Sequence, residues 1–108
     1  MQTLIHVYCQ GNLTSLRKQI ANDKKLNDYN LWVIENKKKD RSSGWSKLRS
    51  DGEDGVLNIE WDSNTKLLLA RVVNKMKTKA DMITGNFVSY LIGRHNKKIK
   101  LINIITVD

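Results

Sequence analysis

The amino-acid sequence predicts an α+β fold, in which two helices pack mainly on one face of a single mixed β-sheet of about five strands. Three observations predict it. Several segments alternate apolar and polar residues with the two-residue period of a strand. Two other segments repeat apolar residues at helical spacing. The 108 residues, 40% of them hydrophobic, suffice for one core, so we expect a single domain over residues 1–108.

The first half of the chain is predicted to contain a strand, a helix and a second strand. Residues 3–9 alternate as a strand, and Asn12 or Thr14 can cap the helix after it. Residues 31–35 are an almost continuous apolar run, which is typical of a strand inside a sheet. Residues 36–55 are polar and are predicted to form one long loop, a length that is uncommon and often functional.

The second half is predicted to contain a hairpin, a helix and a final strand. Residues 56–61 and 66–74 alternate on either side of the turn cluster 62–65. Residues 83–93 carry apolar side chains at helical spacing, and residues 99–107 form the last strand. The order is therefore β-α-β-β-β-α-β. In architecture it resembles the ferredoxin-like split β-α-β class with an added strand, a two-layer sandwich that implies no function by itself.

The positive charge is clustered along the chain, and the formal net charge is +8. The first cluster lies in the predicted long loop, the second comes after the hairpin, and the third comes after the second helix. Clusters of this kind attract polyanions. Their members are Lys37, Lys38, Lys39, Arg41, Lys47 and Arg49 in the first, Lys75, Lys77 and Lys79 in the second, and Arg94, Lys97, Lys98 and Lys100 in the third.

Two of these clusters are expected to meet at one edge of the sheet. If the crossovers are parallel, the strands 3–9, 31–35 and 66–74 point the same way and end together, beside the N-termini of both helices. The third cluster then falls at the opposite edge. The sequence thus predicts a small domain that binds a nucleic acid, RNA or DNA, or another polyanion. The expected phosphate contacts are Lys37, Lys38, Lys39, Arg41, Lys47 and Arg49, assisted by Lys75 and Lys77.

Three alternatives weaken or relocate this interface. Asp51, Glu53 and Asp54 come directly after the first cluster and can neutralise part of it, which would leave only a solvated loop. Trp45 can stack on a nucleobase, or it can anchor the loop on the core, and the rarity of exposed large aromatics favours the anchor. His6 and Tyr8 share the less apolar face of the first strand, where a base could also bind if that face is open. Asn58 and Glu60 could share it, however, and an acid repels phosphate.

Two other classes of function remain open. The chain can be a protein-interaction or homo-oligomerisation module, with a homodimer formed if the strand 99–107 lies at a sheet edge and pairs with its copy. It can also be a small metal-independent ribonuclease with His95 as general acid or base, although no second catalytic group is evident. Cys9 lies on the predicted core face, where a thiol behaves as a small hydrophobe. We therefore expect a binding protein rather than an enzyme.

Several features are not expected. No glycine-rich phosphate motif is present, so no cofactor is predicted. One cysteine and the distant His6 and His95 do not form a metal-ligand set. No apolar run approaches the ~18 residues that span a bilayer, so no membrane partner is predicted. The N-terminal residues lack a basic and apolar leader, which favours a cytoplasmic location.

Overall fold

The structure is a computed structural model that describes residues 2–11, 14–39, 42–52, 55–74 and 81–107. These residues form one β-sheet and two α-helices, with four consecutive strands between the two helices. The strands are β1 Gln2–Cys9, β2 Trp32–Lys39, β3 Ser42–Arg49, β4 Val56–Asp62, β5 Leu67–Val73 and β6 Ile99–Val107. The helices are α1 Leu16–Ala21 and α2 Asp81–His95, and two 3₁₀ segments cover Lys24–Tyr29 and Asn96–Lys98.

The predicted α+β class is confirmed, but the sheet differs from the prediction in two ways. It has six strands in the order β2-β3-β4-β5-β1-β6, and every neighbouring pair is antiparallel, so the sheet is not mixed. The predicted loop over residues 36–55 is wrong, because β2 continues to Lys39 and residues 42–49 form β3. The inward positions Gly44 and Ser46 of β3 are small or polar, so the strand lacks the apolar alternation that identifies strands in a sequence.

The additional strand reverses the direction of the strands after it. Because each neighbouring pair is antiparallel, β1, β2 and β4 point one way, and β3, β5 and β6 point the other. The strands β2 and β5 therefore run in opposite directions, so the expectation that the strands 31–35 and 66–74 point the same way is wrong. Lys75, Lys77 and Lys79 lie outside the described residues, so the expected meeting of the first two basic clusters stays a prediction. The predicted position of the third cluster is wrong as well, since Ile99 at the start of β6 pairs with Cys9 at the end of β1.

The core lies between the helices and one face of the sheet. Alternate residues of β1, β4 and β5 point to the helices, as in the buried set Leu57, Ile59 and Trp61 of β4. They pack against Leu16 and Ile20 of α1 and against Ile83, Phe87, Tyr90 and Leu91 of α2, all of which are fully buried. Among the described residues, no helix covers the opposite face of the sheet, which we call the open face.

The helix ends differ slightly from the sequence prediction. The side chain of Ser15, rather than Asn12 or Thr14, caps α1 by accepting a 3.2 Å hydrogen bond from the N–H of Lys18. Asp23 caps the next 3₁₀ segment through the N–H of Lys25, at 2.9 Å. Two short capped helices thus replace the single longer helix that the apolar spacing suggests. They carry the chain from β1 to β2 across the covered face.

Candidate functional site

The open face is built from the residues of each strand that alternate with the core residues. Strand pairing arranges these residues in rows that cross the sheet. One row contains Arg71 of β5, Asn58 of β4, Lys47 of β3 and Glu35 of β2. The row therefore holds two cations, Arg71 and Lys47, with an amide side chain between them. At about 4.8 Å between strands, these two cationic residues are roughly 10 Å apart at their Cα atoms.

A second row runs beside the first. It contains His6 of β1, Leu69 of β5, Glu60 of β4 and Trp45 of β3. Together the two rows line a shallow depression with a volume of about 510 Å³. The side chains around this depression are Leu4, His6, Trp45, Lys47, Asn58, Glu60, Leu69 and Arg71. The depression thus combines an apolar floor, an aromatic ring and charges of both signs.

Trp45 lies on the open face and is half-buried, so it does not anchor a loop on the helical core. The ammonium nitrogen of Lys47 lies 5.8 Å from the centroid of its ring. A cation at this distance is attracted by the negative face of an indole ring. A planar ligand that stacks on Trp45 would therefore lie within reach of a positive charge.

The cations of the open face differ in how they are engaged. Lys47 forms a long ion pair with Glu35, with 3.9 Å between Nζ and Oε2. Arg49 forms an ion pair with Asp51, so this acid neutralises part of the first cluster, as expected. The guanidinium of Arg49 also lies 5.0 Å from the centroid of the Trp32 ring. Arg71 is exposed, and no hydrogen bond or ion pair links its side chain to another described residue. Among Lys47, Arg49 and Arg71, the cations described on this face, Arg71 is therefore the most available to a ligand.

The structure brings together only part of the predicted set. Trp45, Lys47 and Arg49 share one face of β3 because they are two residues apart. Lys37, Lys38 and Lys39 lie in β2, but their side chains are outside the described part of the chain, as are Arg41, Lys75 and Lys77 entirely. Arg71 is not among the residues predicted for the site, and Asn58 is predicted only to share a face with His6 and Tyr8. The alternation in the predicted hairpin puts Asn58 on the same face as Glu60, and the hairpin pairing puts Arg71 opposite Asn58. Placing these two residues in a row with Lys47 also requires the register of β3, which the sequence does not predict.

His95 is not on the open face. It is 7% exposed at the end of α2, and its Nε2 lies 2.8 Å from the Tyr90 hydroxyl, which donates to Asp23 at 2.8 Å. Burial, and then the nearby charge of Lys98, lower the pKa of His95. His6 lies on the opposite face of the sheet, so the two histidines cannot act on one substrate atom as an acid–base pair.

Within the described ranges, no group of three or more His, Cys, Asp or Glu side chains is placed to hold a metal ion. No described helix has both the length and the apolarity required to cross a bilayer. No protein-family model matches the chain, and no curated protein or solved structure shows significant similarity to it. The geometry of the open face is therefore the basis for a proposal about function.

Proposed function

We propose that this protein binds single-stranded nucleic acid on the open face of its sheet. The observation that carries the proposal is the placement of Trp45 beside the row formed by Arg71, Asn58 and Lys47. An aromatic ring offers a stacking surface to an unpaired base, and lysine or arginine side chains around it hold the backbone phosphates. Bases in a duplex are already stacked on one another, so this arrangement favours single strands.

The charges on the face orient the strand. Arg71 and Lys47 attract phosphate, whereas Glu60, directly opposite Trp45, repels it. The backbone of the ligand therefore follows the Arg71–Lys47 row, and its bases lie over the row that holds Trp45 and Glu60. The Glu60 carboxylate accepts hydrogen bonds, so it favours bases with an exocyclic amino group, as in acidic recognition of cytosine. We expect oligocytidine to bind more tightly than oligouridine.

The long basic strand end extends this interface in our proposal. Lys37 is paired in register with Trp45 across β2 and β3, and Lys38 and Lys39 come next along β2. A strand of nucleic acid that leaves Trp45 toward β2 would meet these residues. A cytoplasmic location and a role for Arg41, Lys75 and Lys77 stay predictions from the sequence.

The test is fluorescence anisotropy of labelled oligonucleotides about 12 nucleotides long, single-stranded and duplex, at ~50 and ~200 mM salt. If about three phosphates are contacted, affinity for the single strand should fall about 20-fold between these salt concentrations. Trp45→Ala should weaken binding by about 10-fold or more, because one stacked base is lost. Lys47→Glu/Arg71→Glu should abolish binding, and Lys37→Glu/Lys38→Glu/Lys39→Glu should reduce it.

The matched control is Lys24→Glu/Lys25→Glu. It changes the net charge by the same amount as the open-face pair, but on exposed residues of the 3₁₀ segment that packs with α2. It should lower affinity only slightly. Absence of binding at low salt, or equal losses in the control and the open-face pair, would contradict the proposal. Breakdown of RNA that disappears in His95→Ala would support the ribonuclease alternative instead.

A further inference from the structure

The two edges of the sheet are not alike. The β2 edge carries Glu35 and the lysines 37–39, and its pairing with β3 is irregular at two places. Charged residues and irregular pairing protect an edge strand from joining another sheet. The β6 edge has nine residues, of which Lys100 is the only charged one. Its single register irregularity lies at its start, opposite Tyr8 and Cys9.

The unprotected edge is also apolar. Leu101, Ile104 and Ile105 are 51%, 52% and 41% exposed, and they make up half of the large hydrophobic residues that are exposed in the described part of the chain. No described strand pairs with the outer side of β6. We propose that β6 pairs antiparallel with β6 of a second copy of this chain, about a two-fold axis that passes beside Asn103.

The sequence of β6 is self-complementary in this register. Leu101 of one copy lies opposite Ile105 of the other on the open face, and Ile102 lies opposite Ile104 on the helical face. The three apolar side chains described as exposed in this strand, those of Leu101, Ile104 and Ile105, thereby gain apolar cross-strand neighbours. Moving the axis by one residue in either direction pairs Asn103 with Leu101 or with Ile105. The register centred on Asn103 therefore matches the pattern best.

The proposed register limits the electrostatic repulsion between two copies of the same basic chain. With a net charge of +8, two copies repel each other at long range. The proposed register keeps the charge of the joining strand away from the axis, because Lys100 lies opposite Thr106 of the second copy. The two Lys100 residues are then six positions apart along the strands, roughly 20 Å, which exceeds the Debye length at physiological salt.

The symmetry closes the assembly at two copies. A two-fold axis perpendicular to the sheet uses β6 of both copies and leaves the protected β2 edges outermost. The result is one continuous sheet in which both open faces lie on the same side. This inference does not depend on the proposed nucleic-acid binding, since it rests on the edge strand alone.

The first measurement is the mass in solution, by sedimentation equilibrium over a micromolar dilution series. We expect twice the 12.5 kDa of the chain. Leu101→Lys/Ile105→Lys places like charges opposite each other at both open-face pairs and should give monomers. Leu101→Glu/Ile105→Lys places opposite charges there in this register only, and it should restore the dimer. Circular dichroism and thermal unfolding of each variant check that it is folded.

The matched control is Ile34→Lys, which adds one charge at an exposed apolar residue of the other edge strand, β2. It should stay dimeric. A second readout uses single cysteines in a Cys9→Ser background. Asn103→Cys brings two thiols to the axis, within the Cα separation that a disulfide accepts, and should form a crosslinked dimer on oxidation. Thr106→Cys should not, since its opposite residue is Lys100.

A monomeric mass for the native chain at every concentration would overturn the proposal. So would a dimer that survives Leu101→Lys/Ile105→Lys, or equal crosslinking at positions 103 and 106. Masses that grow beyond two copies would indicate that β6 joins the β2 edge head to tail, which also contradicts the two-fold arrangement.

Discussion

The hydroxyl of Tyr90 donates a 2.8 Å hydrogen bond to Oδ2 of Asp23 and thereby ties α2 to the cap of the 3₁₀ segment. Arg94 donates to the same carboxylate from Nε at 3.1 Å. Because the Tyr90 hydrogen is directed to Asp23, Nε2 of His95, 2.8 Å from the same hydroxyl, must carry the ring proton and donate it to the Tyr90 oxygen. A neutral imidazole with its proton on Nε2 is sufficient to make this hydrogen bond.

This network predicts that the free energy of unfolding falls as the pH is lowered, in two stages. Burial, then Lys98, lower the pKa of His95, so below its unfolded value of about 6.5 the unfolded chain takes up a proton that the native chain refuses. Burial alone would raise the pKa of Asp23, but hydrogen bonds from Arg94, Lys25 and Tyr90 lower it to about 2. Between pH 3.8 and about 2, the free energy of unfolding should therefore fall by roughly 2 kcal/mol.

Urea unfolding over a pH series measures both stages. Asp23→Asn should remove the lower stage, and His95→Gln the upper one. The exposed Asp28, which forms only a 3.9 Å pair with Lys25, supplies the control Asp28→Asn, and this variant should follow the native curve. Identical pH profiles for Asp23→Asn and the native chain would show that the carboxylate is not linked to folding.

Two glycines of α2 should respond to alanine with opposite signs. A methyl group at Gly85 meets no atom, so Gly85→Ala should stabilise the fold by about 0.5–1 kcal/mol through helix propensity. A methyl group at Gly93 would overlap the hydroxyl of Tyr29, whose ring packs edge-on against Tyr90 with centroids 5.5 Å apart. Gly93→Ala should therefore destabilise the protein.

Thermal unfolding of four variants separates the contributions. Tyr29→Ala removes the obstructing ring, so adding Gly93→Ala in that background should raise the melting temperature, as Gly85→Ala does in the native chain. If Gly93→Ala is unfavourable in both backgrounds, contact with Tyr29 is not the cause.

A buried arginine connects α1 to the edge of the sheet. Arg17 is 1% exposed, and its Nη1 donates to Oδ1 of Asn36 and Oγ of Ser46, both at 2.9 Å. Arg17→Ala leaves a cavity and two polar groups with one fewer partner, and it should cost about 3 kcal/mol in chemical denaturation. Ser46→Ala should cost about 1 kcal/mol, because Asn36 still accepts from the guanidinium. Equal costs would mean that packing of the arginine stem contributes nothing.

Cys9 should react slowly in the native protein. Burial raises the pKa of its thiol to about 11, so little thiolate exists near neutral pH. Alkylation by iodoacetamide at about pH 8 should be roughly 100-fold slower than in urea, where the thiol has its ordinary pKa. Comparable rates in the two conditions, measured by mass spectrometry, would contradict the burial of Cys9.

The positions of the elements with a strong apolar pattern could be predicted from the sequence. The hairpin of β4 and β5, the strand β1 and the helix α2 were predicted near their observed positions, because each presents a regular apolar face to the core. The strand β3 was not, because Gly44 and Ser46 occupy inward positions that a sequence pattern expects to be apolar. Ser46 is suited to its position by the Arg17 hydrogen bond, a contact between distant segments that no local pattern reveals.

The candidate site was affected by the same omission. Trp45, Lys47 and Arg49 were identified by residue type, but as parts of a loop rather than as one face of a strand. Without β3 in place, the direction of β5 was reversed, and Arg71 could not be placed in the same row as Lys47. A single unrecognised strand thus accounts for both the reversed direction of β5 and the unpredicted place of Arg71 in the row that contains Lys47.

Because the helices in the described part of the chain cover one side of the sheet and leave the other open, successive residues of β4 and β5 are under different constraints. Leu57, Ile59 and Leu68 are fully buried, so a replacement must fit the volume of the core. Their neighbours Asn58, Glu60 and Leu69 lie on the open face, where a replacement need not fit against a helix. Substitutions at every other residue can therefore change the exposed surface without loss of the hydrophobic framework. The chemistry of the exposed surface and the stability of the domain are therefore determined by different residues, which alternate along the same short strands.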